Sequence, residues 1–487
     1  MTRIALTGGT LYDGTGAAPR PGALVIEDGR IAAAGDFEVP PDARQINCTG
    51  LAVAPGFIDA HSHSDLQVLE NRREKLLQGV TTEVVGNCGF SVFPAGSDRQ
   101  ALHNFANGIL CGEGDWGWSS ASSYLRTLQE RARLATVHTL VGHGTLCFAV
   151  EAQEKALDAC LAEGACGLST GLMYAPGANV PFEELVRLCR IVARHGKILA
   201  THMRSYSQGL LPAVDEQLEL ARRTGCRLQI SHLQAVGPRN WHLQATALER
   251  IERAREQGLD VAFDCYPYTR GSTVLTQLLP QEALEGGIGR LLQRLAQPSE
   301  RRRIAAETLA GMAHGWDDLF VAAVATEANQ SLVGMSLEAV AGVWQCDPID
   351  AVFDLLIQEH GRVNILEINQ SEANLRQLIA HPLAAIVSDG FYVHGRPHPR
   401  LHGAFAHLLG TVCRDWGWLT LAQGVHKVTG LPANRFGIAG RGELRAGFHA
   451  DVTVFDPLTV GSPATYDEPC LPPSGIRHVF RNGVELL

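Results

Sequence analysis

The stretch Ala54-Pro55-Gly56-Phe57-Ile58-Asp59-Ala60-His61-Ser62-His63-Ser64-Asp65 joins an apolar run to two imidazoles spaced two residues apart. The run Leu51 to Ile58 reads as one buried strand, and the histidines fall where that strand gives out. Side chains at i and i+2 of an extended chain point the same way, so His61 and His63 could grip one metal ion. His-x-His alone is a cheap motif, and a chain of this length holds roughly one such pair by chance. Its position gives it weight, because in parallel barrels the C-terminal ends of the strands carry the active site.

Outward from this segment the chain alternates. Strand-like runs at Thr81 to Val85, Ala135 to Val141, Ile198 to His202, Arg227 to His232, Val261 to Cys265 and Ala384 to Ser388 are separated by helical patterns such as Phe182 to Arg194 and Leu211 to Thr224. Such alternation predicts an α/β fold with parallel strands. No Gly-x-Gly-x-x-Gly follows an early strand and the strand count approaches eight, which favours a (β/α)8 TIM-like barrel over an open sheet. Short β-like runs near both ends, among them Ala23 to Ile26, Arg30 to Gly35, Ala450 to Asp456 and His478 to Val484, predict that the two termini pair into one small β-sandwich module. The expected organisation is therefore residues 1–54 and 431–487 in that module and residues 55–430 in the barrel. A helical, Gln/Arg/Ala-rich insertion falls at about 276–350.

Composition narrows the function classes. The 487 residues carry 41 basic and 51 acidic side chains, a net charge of −10, without a basic stripe to follow phosphates, so nucleic acid is not an expected partner. No window reaches the roughly 18 apolar residues of a membrane span. Met1-Thr2-Arg3 leads into a strand-like Ile4-Ala5-Leu6 and does not read as a signal peptide. The 12 cysteines are scattered with no Cys-x-x-Cys, which fits a reducing cytoplasm better than a disulfide framework.

Several predicted strands end in a metal-ligand type: His61 and His63, Cys88, His202, His232 and Asp389. Singly, each has a structural explanation. Together, imidazoles, a thiolate and a carboxylate form a set suited to Zn²⁺, which accepts N, S and O donors. Such an ion polarises a carbonyl and lowers the pKa of its bound water toward about 7, chemistry that serves amide hydrolysis by a metal-bound hydroxide.

Gly86-Asn87-Cys88-Gly89-Phe90-Ser91, Gly167-Leu168-Ser169-Thr170-Gly171-Leu172-Met173-Tyr174-Ala175-Pro176-Gly177, Asp264-Cys265-Tyr266-Pro267-Tyr268, Ser388-Asp389-Gly390 and Gly442-Glu443-Leu444 extend the opening segment across most of the chain. With these segments the chain resembles the N-acyl-D-amino-acid deacylases (D-aminoacylases) of the amidohydrolase superfamily. The resemblance implies a small-molecule substrate, cleavage of a linear amide to a carboxylate and a free D-amino acid, and one tight zinc on Cys88, His202 and His232. It further implies a second, weaker site on His61, His63 and Asp389, with Cys88 as a possible bridge. Asp389 would be the general base and acid that moves the proton from water to the leaving amine. Arg400 would clamp the substrate carboxylate, with hydroxyls from Tyr174, Tyr266 and Ser272.

Two departures and three rival readings accompany this resemblance. The lysine expected two residues after His232 is Gln234, for which Arg239 or Arg270 could compensate, and Arg204-Ser205-Tyr206 lacks an expected acidic residue. The four lysines, at 75, 155, 197 and 427, fall at no predicted strand end beside the ligands, which disfavours a carboxylated lysine as metal bridge. A hydantoinase-like cyclic amide hydrolase and a non-catalytic binding protein on the same fold are the alternatives. Gly167 to Gly171 also matches the Gly-x-Ser-x-Gly elbow, but no helix is expected before about Pro181, so Ser169 is not expected to be a nucleophile. Prolines at 397 and 399 argue against a helical metal site from His394, His398 and His402, which reads instead as a substrate-side loop.

Overall fold

The run from Leu51 to Ile58 is not one strand but two, and the break between them joins two parts of the molecule. Ala52–Pro55 belongs to the terminal sheet, where it pairs antiparallel with Val452–Phe455. Phe57–Asp59 opens the barrel as β1. Between them lies Gly56, whose amide donates to the Asp451 carbonyl at 2.8 Å and whose Cβ, if it had one, would overlap the Thr81 side chain. In this computed structural model, residues 3–96, 98–106, 108–112, 116–149, 152–393 and 395–487 are described.

Eight strands follow one another in a parallel ladder: β1, β2 (Val80–Val85), β3 (Thr136–Gly142), β4 (Gly167–Gly171), β5 (Ile198–His202), β6 (Arg227–Ile230), β7 (Val261–Cys265) and β8 (Ala384–Ile386). Every residue of β2, β4, β5 and β7 is buried, which is why these strands read as continuous small and apolar runs rather than as alternation. The ends of the ladder meet just beyond β1 and β8. There Ser62 and Gly390 form a parallel bridge, His63 N–H donates to Gly390 O at 3.1 Å, and Asp389 N–H donates to His61 O at 2.9 Å.

Helices cover the outside. α1 (Phe182–Arg194) follows β4 and buries Leu185, Leu188, Cys189 and Val192, an i, i+3, i+4, i+7 stripe. Glu183 and Glu184 stand in its first turn and Arg194 in its last, each favourable to the helix dipole. α2 (Leu210–Thr224) and α3 (Leu243–Glu256) follow β5 and β6 in the same way.

Both termini meet as expected, in one eight-stranded sheet with its own apolar cluster around Leu6, Leu24, Val452 and Phe480. Between β7 and β8 the chain carries helices and a three-stranded antiparallel sheet, Arg270–Val274, Leu319–Ala323 and Asn364–Ile368, over a separate core that includes Leu291, Val340 and Phe353. The sheet was not legible in the sequence: its strands are five residues each and separated by helical segments. Among the described residues no helix is long and apolar enough to cross a membrane.

Gly86, just past β2, has φ +80°, and a Cβ there would overlap the Leu140 carbonyl oxygen of β3. Gly225, at the end of α2, has φ +72° and open space around it. Left-handed strain of about 1–2 kcal/mol is common to alanine at either position. Gly86→Ala is therefore expected to lower the thermal unfolding midpoint by several degrees more than Gly225→Ala, checked by differential scanning calorimetry.

Candidate metal centre and active site

The seam that closes the barrel also gathers the ligand-type side chains. His61 and His63 follow β1, Cys88 follows β2, His202 ends β5, His232 follows β6 and Asp389 follows β8. The ligand atoms of His61, Cys88 and His232 lie within 4.8 Å of one another, as do those of His61, His63 and Asp389. Cys88 Sγ is 3.3 Å from His61 Nε2 and 3.5 Å from His232 Nε2. Asp389 Oδ1 is 3.3 Å from His61 Nε2 and 3.2 Å from His63 Nε2. The two triads share His61. His202 stands outside both, its ring centroid 4.6 Å from that of His232.

Cys88, His232 and Asp389 all take left-handed backbone conformations, with φ of 53°, 34° and 48°. Such residues cost of order 1–3 kcal/mol each and persist only where the surroundings hold them. Asp264, at the end region of β7, supplies part of that hold. Its Oδ1 accepts from His232 N–H at 2.7 Å and lies 3.2 Å from His61 Nδ1, while Oδ2 accepts from Gln229 at 2.9 Å. Below the triads, Lys75 pairs with Asp59 and donates to Ser388 Oγ at 2.7 Å, and Ser388 N–H donates to Asp59 Oδ1 at 3.0 Å. Lys75 is buried beneath the site but is not a member of either triad.

The electrostatics fit a cation. Burial works against charge on His61, yet Cys88, Asp389 and Asp264 outweigh it and raise its pKa well above the usual value. The centre of the cluster thus favours positive charge. Burial holds His202 down to about 3 and His232 well below its ordinary value, so both are neutral, the form that coordinates metals. Both ring nitrogens of His202 and the Nδ1 atoms of His63 and His232 are buried without a hydrogen-bond partner among the described residues. Buried imidazole nitrogens are rarely left so, and a metal ion would satisfy one nitrogen of His202. Burial works against the Asp389 carboxylate too, but Arg400, His61 and His63 hold its pKa well below the ordinary range.

A cavity of about 170 Å³ opens above these residues. Tyr174, Tyr266, Ser272 and Arg400, the expected substrate contacts, all line it. Arg400 is 1% exposed, its Nη1 is 2.9 Å from Asp389 Oδ2, and the Tyr266 ring lies against its guanidinium at 4.5 Å. Its Nε has no partner among the described residues. Gln234, standing where a lysine was expected, accepts from the Tyr266 hydroxyl at 3.0 Å. Neither proposed substitute for that lysine lines the cavity: Arg239 reaches the Met312 carbonyl, and Arg270 lies between the rings of Phe320 and Tyr466.

Ser169 is inside β4, fully buried, donating to Gly86 O and accepting from Gly89 N–H at 3.0 Å, a structural role. The prolines at 397 and 399 do not keep the following segment extended. A helix, α4 (Arg400–His407), begins at once with Pro399 as its N-cap, a place where the missing N–H costs nothing. His402 is thus helical, His398 bridges the Arg270 carbonyl and the Arg400 amide, and His394 lies outside the described residues. Sequence reasoning missed Asp264, although a carboxylate at a predicted strand end was a readable sign. It also missed Glu367 and Asn369, which reach the cavity from the insertion and had no such sign.

A parallel barrel with buried imidazoles, a thiol and a carboxylate at its strand ends, under a cavity lined by an arginine and phenols, defines the class of metal-dependent barrel hydrolases. Residues 44–486 match the model of the amidohydrolase family, and the chain belongs to that family. It is 34% identical to an N-acyl-D-glutamate deacylase of Alcaligenes xylosoxydans xylosoxydans over 99% of this chain and 92% of that protein, and equally identical to a D-aminoacylase of the same organism over 99% and 93%. Among solved structures it is similar to the N-acyl-D-glutamate deacylase of Bordetella bronchiseptica, complexed with zinc and a phosphonate mimic of the tetrahedral intermediate. That match has a TM-score of 0.84 and 35% identity over 99% of this chain and 96% of the other. An L-hydantoinase of Arthrobacter aurescens, at 15% identity and a TM-score of 0.59, shares the fold.

Asp264 holds the His61 ring and the His232 backbone amide without belonging to either triad. Asp264→Asn is expected to lower zinc affinity by about 10- to 100-fold, the usual cost of losing such a support, measured by competition with a chromophoric chelator.

Proposed function

We propose that this chain is a zinc-dependent deacylase that cleaves N-acyl-D-amino acids to a carboxylate and a free D-amino acid. The observation that carries the reading is the convergence of six ligand-type side chains from five barrel strands beneath a cavity that also holds an arginine. Full-length similarity to named N-acyl-D-glutamate and N-acyl-D-aspartate deacylases and D-aminoacylase supports it.

Cys88, His202 and His232 would hold the tighter zinc, and His61, His63 and Asp389 a weaker second site. The unpartnered nitrogens of His202 and the approach of His232 Nε2 to Cys88 Sγ support the first set, and the close approach of the three ligand atoms supports the second. Zinc, when bound, supplies Lewis acidity toward the amide carbonyl and makes water more acidic. Asp389 takes the proton from the attacking water at a carboxylate oxygen and returns it to the leaving nitrogen. Arg400 keeps that carboxylate ionised and, from the cavity wall, would clamp the substrate's carboxylate. Tyr174, Tyr266 and Ser272 position the substrate from the cavity wall. Twelve unpaired cysteines support a reducing cytoplasm as the compartment.

The test is a hydrolysis screen of N-acetyl and N-formyl D- and L-amino acids beside hydantoins, with zinc content measured on the same sample. Turnover of D substrates is expected, and preference for L substrates or hydantoins would overturn the reading. Asp389→Asn is expected to reduce kcat by about 10³-fold while retaining the tight zinc. Cys88→Ala is expected to lose that zinc, read by atomic emission spectrometry.

A further inference from the structure

Among the described residues the cavity wall carries one charge without a partner. Arg400 and Asp389 neutralise each other at 2.9 Å. The remaining acid on the wall is Glu367, from the insertion's strand Asn364–Ile368, and among the described residues no cation or hydrogen-bond donor lies on its carboxylate. Arg270, on the neighbouring strand, is turned away into its stack with Phe320 and Tyr466.

Strand register directs Glu367 at the reacting region. Glu367 pairs directly with Gly271 in the antiparallel ladder, so the two share a face. A Cβ on Gly271 would stand 3.2 Å from the Tyr266 hydroxyl and overlap the Asn369 amide. The same face carries Ile365 into the insertion's core and, two residues later, Glu367 to the cavity. Gly271 itself presents no side chain there, which lets Asn369 and Tyr266 pack against the strand beside the carboxylate. Burial pushes the Tyr174 and Tyr266 phenols up, and the charge of Glu367 adds to it at both, as expected for a carboxylate facing these rings.

We propose that Glu367 is a specificity-determining residue that receives the cationic side chain of the substrate, making N-acylated basic D-amino acids, with an ammonium or guanidinium group, the preferred class. This rests on the deacylase reading. It places the side-chain preference opposite in sign to what the names of the glutamate and aspartate deacylases imply for those relatives. A half-buried carboxylate without a counterion attracts a cation and repels an anion, so discrimination between acidic and basic side chains follows from one residue.

The test compares kcat/KM for N-acetyl-D-lysine, its neutral near-isostere N-acetyl-D-norleucine, and N-acetyl-D-glutamate, with D-lysine and D-norleucine binding measured by calorimetry on the same zinc-loaded protein. Lysine is expected to exceed norleucine by about tenfold or more in both measurements. Glu367→Gln is expected to abolish that ratio in both measurements, and Glu367→Lys to shift preference toward glutamate. A preference of the wild type for glutamate, or a lysine-to-norleucine ratio unchanged in Glu367→Gln, would overturn the assignment. If none of the three amides is cleaved the deacylase reading fails, and the calorimetric ratio still decides the role of Glu367.

Discussion

The seam between the first and last barrel strands is the constraint on which the rest of the molecule depends. The ladder from β1 to β8 does not close by a full strand pairing. It closes through a few hydrogen bonds just beyond the strand ends, between His61 and Asp389 and between His63 and Gly390. Three of the residues that shut the barrel, His61, His63 and Asp389, are therefore also one of its two ligand-type triads, and closing the barrel brings that triad together. The buried group of Lys75, Asp59 and Ser388 ties the two strands below this level. Burying that ammonium and carboxylate is costly unless each is paired, so this group specifies the alignment of β1 with β8 as well as stabilising it.

Preorganisation follows from that geometry. Asp389 is held by its own amide, by Arg400 and by two imidazoles, in a backbone conformation that an unconstrained aspartate seldom adopts. Asp264 plays the matching part on the other side, fixing His61 through its ring and His232 through its amide. Charges fixed in advance in a dry site need no reorganisation during reaction. The insertion between β7 and β8 adds what the barrel lacks, a wall with Ser272, Glu367 and Asn369 that faces the metal-ligand end. Chemistry thus comes from the strand ends and discrimination from the insertion, the division that lets barrels keep one reaction while varying its substrate.

Much of this was legible in the chain. Buried strands announced themselves as small apolar runs, and five of them ended in residues able to bind a metal, so the barrel and its six ligand-type residues could be named by position. The terminal module was legible because hairpin-like runs appeared at both ends and nowhere beside them. Local signals failed where long-range contacts decide. Leu51 to Ile58 looks like one strand because nothing near Gly56 reveals that Thr81 and Asp451 will claim the space around it. Pro399 looked like a helix breaker because its role as an N-cap depends on where α4 begins.

The sequence by itself determined the period of the elements, the ends of the strands and the kinds of atoms placed there, since these are set by side-chain chemistry and spacing along the chain. Which of those atoms meet was decided only by the tertiary structure. His61 serves both triads, His202 stands beside His232, Arg400 is paired with Asp389, and among the described residues Glu367 has no counterion. The contacts that gather the ligand-type atoms across the barrel join residues tens to hundreds of positions apart. Charge compensation and coordination depend on distance through space, and only the closed barrel sets it.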